Sequence, residues 1–164
     1  MAKEPKTLDE LFHETLKDIY VAEKKILMTL PKMAKAAQSE ELKAVFDKHE
    51  SETEDQVGRL EQVFAAIDKK PPGKTCAAIV GITEEGAEMM KQYKNSPALD
   101  AGPLAAARAD YEISRYGTLI AWAEELGLED AASLLAETLE EEKATDETLT
   151  EIAKSAINQQ AEAA

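Results

Sequence analysis

Shifted by 89 residues against itself, this chain repeats its own spacing of apolar and acidic positions. The shift pairs Leu30 with Leu119, Ala34 with Ala123, Val45 with Leu134, Phe46 with Leu135, Leu60 with Leu149 and Val63 with Ile152. It also pairs Glu23 with Glu112 and Glu52 with Glu141. Within each half the apolar positions recur at helical spacing. The repeat therefore restricts the chain to two similar helical hairpins, each with two carboxylates on an otherwise apolar stripe. Carboxylates are rarely fully buried unless something pairs with them or a metal neutralises them. That makes the four glutamates the lead to function.

Ala, Leu, Glu and Lys dominate, and aromatic residues make up only 5%, a composition that favours an all-helical protein. A chain of 164 residues suits one domain with a real hydrophobic core. Its 33 acidic and 19 basic residues leave a net charge of −14, which repels phosphate backbones and anionic membrane surfaces. Neither nucleic acid nor membrane is an expected partner. No apolar run approaches the roughly 18 residues that span a bilayer. The opening Met-Ala-Lys-Glu-Pro-Lys-Thr lacks the basic-then-apolar build of a signal peptide. Cys76, the single cysteine, suits a reducing compartment. The expectation is a soluble, cytoplasmic protein.

Residues 8–37 read as a first helix, opened by a Thr7–Glu10 capping box and kinked rather than ended at Pro31. Ser39 caps a second, over 40–67, with Leu42, Val45, Phe46, His49, Glu52, Gln56, Leu60, Val63 and Ile67 facing inward. Lys69-Lys70-Pro71-Pro72-Gly73 ends it. A shorter helix over 76–93 stops at Asn95-Ser96-Pro97. Two more follow, over 101–126 with Asp100 as its cap and over 129–157, parted by Gly127. Residues 158–164 are expected to fray. The short first and last joints make antiparallel hairpins. The long middle segment carries the chain back, so the fourth helix parallels the second. This is a ferritin-like antiparallel four-helix bundle, with an extra short helix in its crossover.

Glu23 stands fifteen positions before a turn near Gln38 and Glu52 fourteen after it; Glu112 and Glu141 stand likewise about Gly127. Equal distances from an antiparallel turn place residues at one height. His49 lies one turn from Glu52, and hard carboxylate oxygens with one imidazole suit Fe, Mn or Zn. Glu142 beside Glu141 leaves the ligand on the last helix open, with Thr145 or Asp146 in support. Each residue also has a plainer reading. A lone Glu on a stripe most often sits at its edge in water, and a lone His is most often a hydrogen-bonded core residue. Met28, Met33, Met89 and Met90 read as core or interface filler, Cys76 as inert, and Tyr20 and Tyr116 as packing beside Glu23 and Glu112.

Several segments resemble the bacterial YciF/YciE-like stress proteins: residues 17–24, residues 49–56, Tyr111-Glu112-Ile113 with residues 116–119, and residues 138–146. The likeness runs from about Thr7 to Ala156. It implies a ferritin-like bundle, commonly dimeric, and a dinuclear metal site built from Glu23, His49, Glu52, Glu112 and Glu141 or Glu142. It also implies a role in stress response. Family members often carry an acid one turn before the position of Glu112, where this chain has Ala109. That departure points to a weakly or partially loaded site.

Two functions follow as expectations. The first is a metal-binding stress protein, with two iron ions (Mn or Zn as alternatives) reacting with dioxygen or peroxide; its catalytic residues are not identified. The second is a non-catalytic homodimeric bundle that works through protein partners and binds no metal.

Overall fold

Four of the helices each bury a stripe in which steps of four and three residues alternate. The computed structural model describes residues 6–71, 75–108 and 110–163. In α1 (Leu8–Ala36) the stripe is Phe12, Leu16, Ile19, Glu23, Ile26, Leu30 and Met33. In α2 (Glu40–Ala66) it is Leu42, Phe46, His49, Thr53, Gln56, Leu60 and Val63. In α5 (Asp110–Glu125) it is Glu112, Tyr116, Leu119 and Ala123. In α6 (Glu129–Ile152) it is Ala131, Leu135, Thr138, Glu142, Thr145, Leu149 and Ile152. A seven-residue repeat of this kind packs long helices nearly parallel or antiparallel, as in a four-helix bundle. No strand occurs among the described residues.

The ends follow local chemistry. Thr7 and Glu10 form the capping box on α1, and the Ser39 hydroxyl accepts from Leu42 N–H at the start of α2. α1 runs on through Pro31 to Ala36. α2 ends before the Lys-Lys-Pro segment, because Asp68 takes φ +55° and Lys69 N–H returns to the Phe64 carbonyl at 2.9 Å. Pro72 and Gly73 lie outside the described residues. Gly127, at φ +70°, turns the chain between α5 and α6, a conformation glycine adopts without a Cβ clash.

Partners across α2 and α6 run in opposite order: Glu52 meets Thr145, Gln56 meets Glu141 and Arg59 meets Thr138. These two helices are therefore antiparallel. Each is also antiparallel to its own hairpin partner, so α5 parallels α2, as a ferritin-like crossover requires. α1 packs on α2 and α5, and α6 packs on the same two, which closes the ring of four.

The crossover departs from expectation. The helix expected over 101–126 is two, α4 (Ala101–Ala106) and α5, parted around Ala107 and Arg108; Ala109 lies outside the described residues. α4 packs against α3 (Ala77–Gln92) rather than joining the ring. This is a tertiary choice. A Cβ added to Gly86 would stand 2.8 Å from that of Ala106, and one on Gly102 equally close to that of Met89. Asp100 does not cap α4. Buried, it accepts the backbone N–H groups of Gln38 and Ser39 with both oxygens at 2.7 Å, clamping the α1–α2 turn. Beyond α6 the chain makes one π turn (Ala153–Ile157), burying Ile157, and then α7 (Asn158–Glu162), so residues expected to fray are helical.

Candidate metal centre

Glu23 on α1, His49 on α2, Glu112 on α5 and Glu142 on α6 all occupy stripe positions, so each ring helix sends one of them into the core. Glu23 and Glu142 are 0% exposed, His49 4% and Glu112 6%. His49 Nε2 stands 4.0 Å from a Glu142 oxygen, and Tyr116 donates its hydroxyl to Glu23 Oε1 at 2.7 Å. Thr53, Gln56, Thr138 and Thr145, also buried, complete a polar layer across the bundle.

Burial governs the charge state of this layer. It raises the Glu23 carboxyl to about 8, helped by repulsion from Glu112 and opposed by the Tyr116 hydrogen bond. Glu112 is raised to about 7, again chiefly by burial. Glu142 lies well above the usual carboxylate range, through burial and then the proximity of Glu23 and Glu112. Burial also lowers His49 to about 4, so its imidazole is neutral and keeps a lone pair to offer.

Glu52 and Glu141 sit differently. Each lies one residue off its stripe, about 100° around the helix, and the inward place expected for Glu52 goes to Thr53. Glu52 pairs with Lys48 at 2.5 Å and accepts from Thr145 at 3.4 Å. Glu141 receives both arms of Arg59, at 2.8 and 2.6 Å, and the Gln56 amide at 3.1 Å. Although partial burial opposes ionisation, those bonds from Arg59 and Gln56 hold Glu141 below its ordinary pKa. Asp146 faces away to Arg108. Ala109 lies outside the described residues.

Other expectations resolve in the same way. Tyr116 is more than packing, since it bonds a core acid, whereas Tyr20 packs edge-on against Phe64 and donates to Glu61 at 2.9 Å. Cys76 is buried, 3.2 Å from the Tyr111 hydroxyl. Met33 is core, but Met28 is 63% exposed. The alternation of four and three residues was the available signal for Glu142 over Glu141. Arg59 carried none, since nothing local to it on a mostly acidic helix points to Glu141, which lies 82 residues away.

Buried polar atoms are normally hydrogen-bonded. Six such side-chain atoms lack a partner among the described residues, and five belong to this layer: Glu23 Oε2, His49 Nδ1, Gln56 Oε1 and both oxygens of Glu142. Oxygen donors with one neutral imidazole match the preferences of Fe, Mn and Zn. By donor chemistry the layer fits a divalent cation. By geometry it is not a preformed cage, since among the described residues no three His, Cys, Asp or Glu side chains form a ready ligand group. A small cavity of about 30 Å³ reaches His49 and Glu112 from the side of α3 and α4.

The family model described as a domain of unknown function, DUF892, matches residues 7–162. The chain belongs to the DUF892 family. YciF of Escherichia coli strain K12 is 41% identical to this DUF892 protein over 160 residues, covering 96% of each chain. The crystal structure of the E. coli stress protein YciF matches it with a TM-score of 0.88, at 42% identity over 94% of this chain and 99% of that one. YcfI of Rhodopseudomonas palustris matches with a TM-score of 0.86, at 41% identity over 92% and 97% of the two chains. A Xanthomonas campestris pv. campestris protein at 20% identity shares the fold, with a TM-score of 0.73 over 95% and 97% of the two chains.

Proposed function

We propose that this DUF892 protein is a stress-response protein, like the YciF it resembles, and that its bundle core binds divalent metal. Iron is the favoured ion, with manganese or zinc as alternatives. One observation carries the reading: three carboxyls and a neutral imidazole, one from each ring helix, are buried together, and four of their eight polar side-chain atoms have no hydrogen-bond partner among the described residues. Such groups are costly to bury as they stand, and a cation offsets that cost.

Glu23, Glu112, Glu142 and His49 would hold the ion. Glu52 is the reserve ligand at the rim, where it would first have to leave Lys48. A bound iron supplies redox chemistry toward dioxygen or peroxide. The chain's own residues do the rest. Tyr116 fixes one oxygen of Glu23 and leaves the other free. Glu23, Glu112 and Glu142 release protons as the cation arrives, so affinity rises with pH. The apolar stripes above and below exclude bulk water.

Anaerobic Fe(II) titration of chelator-stripped protein tests this. Saturable binding that raises the melting temperature, and a rise that is lost in Glu142→Gln, is the expected outcome. Absence of saturation with Fe(II), Mn(II) and Zn(II) alike would overturn it. The second reading, a metal-free bundle acting on protein partners, draws on the raised pKa values, because neutral acids tolerate burial without a cation. The same titration separates the two.

A further inference from the structure

The small cavity beside the polar layer has an apolar wall, made largely by Ile26 and Leu30 of α1 and Ile79 and Ile82 of α3. His49 and Glu112 lie on it, so it touches the layer directly. Outside it, between α3 and the α4–α5 junction, lies a surface groove of about 240 Å³. Ile82, Ala106 and Arg108 line both spaces. Arg108 is drawn aside by a two-armed pair with Asp146, at 2.8 and 3.1 Å.

We infer that the α3–α4 crossover roofs an access route by which a small uncharged molecule, of the dioxygen or hydrogen peroxide class, reaches His49 and Glu112. The destination rests on the metal reading of the layer; the route rests on the cavities. Size and charge set the class. The inner space is small, about 30 Å³ against about 240 Å³ for the groove outside it. Apolar walls penalise any ion that sheds its water. Anions are turned away further out, because Glu85 and Asp110 line the groove and Asp146 neutralises Arg108. Gly86 keeps the roof low, since its missing Cβ lets α3 close onto Ala106. The crossover is thus more than a connection; it sets the width of the passage.

Met33 offers a metal-free reporter, being in the cavity wall and 6% exposed, whereas Met28 on the same helix is 63% exposed. A thioether sulfur attacks one peroxide oxygen, the O–O bond breaks and sulfoxide forms. The second oxygen leaves as water from hydrogen peroxide or as tert-butanol from tert-butyl hydroperoxide. Metal-stripped protein is treated with each oxidant, and both methionines are followed by tandem mass spectrometry. Hydrogen peroxide is expected to oxidise both. With tert-butyl hydroperoxide the Met33 rate relative to Met28 should drop by about tenfold or more, as oxidation follows access. Ile82→Trp, filling the neck, should slow Met33 oxidation by hydrogen peroxide by a similar factor with Met28 unchanged. An equal Met33-to-Met28 ratio for the two oxidants, or no Met33 oxidation by either, overturns the route. If Ile82→Trp does not fold, the two-oxidant comparison on the unmodified chain decides alone. Failure of the metal reading appears separately, as an unsaturable Fe(II) titration with the Met33 ratio unaffected.

Discussion

A rotation of one residue separates Glu141 from Glu142, and it divides a rim ion pair from a buried acid. Glu141 is held by Arg59, whose side chain is only 13% exposed. Glu141→Gln should therefore cost about 1.5–3 kcal/mol of stability, the range for bonds to charged groups, while the metal-induced melting shift survives. Glu142→Gln should raise the melting temperature of metal-free protein, because it removes an acid whose ionised form is disfavoured, and should abolish the metal-induced shift. Reversed phenotypes in thermal melts with and without Fe(II) would identify Glu141 as the ligand. The acids also set a pH dependence. Glu23 and Glu112 move from an ordinary 4.5 to about 8 and about 7 on folding. Between 4.5 and 8 the folded chain thus holds more protons than the unfolded chain, so their contribution is lost as pH rises through that window. His49 acts oppositely, falling from 6.5 to about 4, and lowers stability only as pH drops below 6.5. Metal-free protein should therefore melt lower at pH 8 than at pH 6.5, with a shallower difference in Glu23→Gln. A pH-independent melt across this range in circular dichroism would mean that the acids ionise freely in the fold.

At the scale of elements, two glycines within helices have opposite meanings. Gly58 in α2 has no atom within 4 Å of where a Cβ would sit, so Gly58→Ala should stabilise by about 0.5–1 kcal/mol through helix propensity alone. Gly86 in α3 closes onto Ala106, and its Cβ would meet that of Ala106 at 2.8 Å. Gly86→Ala should destabilise by about 1–3 kcal/mol through overpacking, less what propensity returns. Urea melts of the two variants check the signs. Two stabilising results would mean that α3 moves freely off α4. Much of this level was legible beforehand: Thr7, Ser39 and Gly127 act where their chemistry predicts. The end of α2 falls within one residue of its expected place, although the turn is made by Asp68, in a left-handed conformation that its identity permits without requiring.

Across the whole molecule, the net charge of −14 opposes compaction. Raising ionic strength from about 0.01 M to about 0.15 M shortens the screening length from about 30 Å to about 8 Å. The melting temperature should rise over that range; a fall would show that exposed pairs such as Lys43–Glu40 and Lys143–Glu140 outweigh the general repulsion. By itself the sequence determined the helical class, the two hairpins and the presence of core acids, because period, caps and turn residues act within a few positions of each other. Only the tertiary structure decided that Thr53 and Glu142 face inward while Glu52 and Glu141 do not. It alone parted α4 from α5, and it sent Asp100 to the α1–α2 turn. The reason is physical. Neighbouring residues on a helix differ by about 100° in direction, and which of them turns inward is fixed by how four stripes interlock. The partners that hold the rest, Arg59 for Glu141 and Asp146 for Arg108, lie far away along the chain.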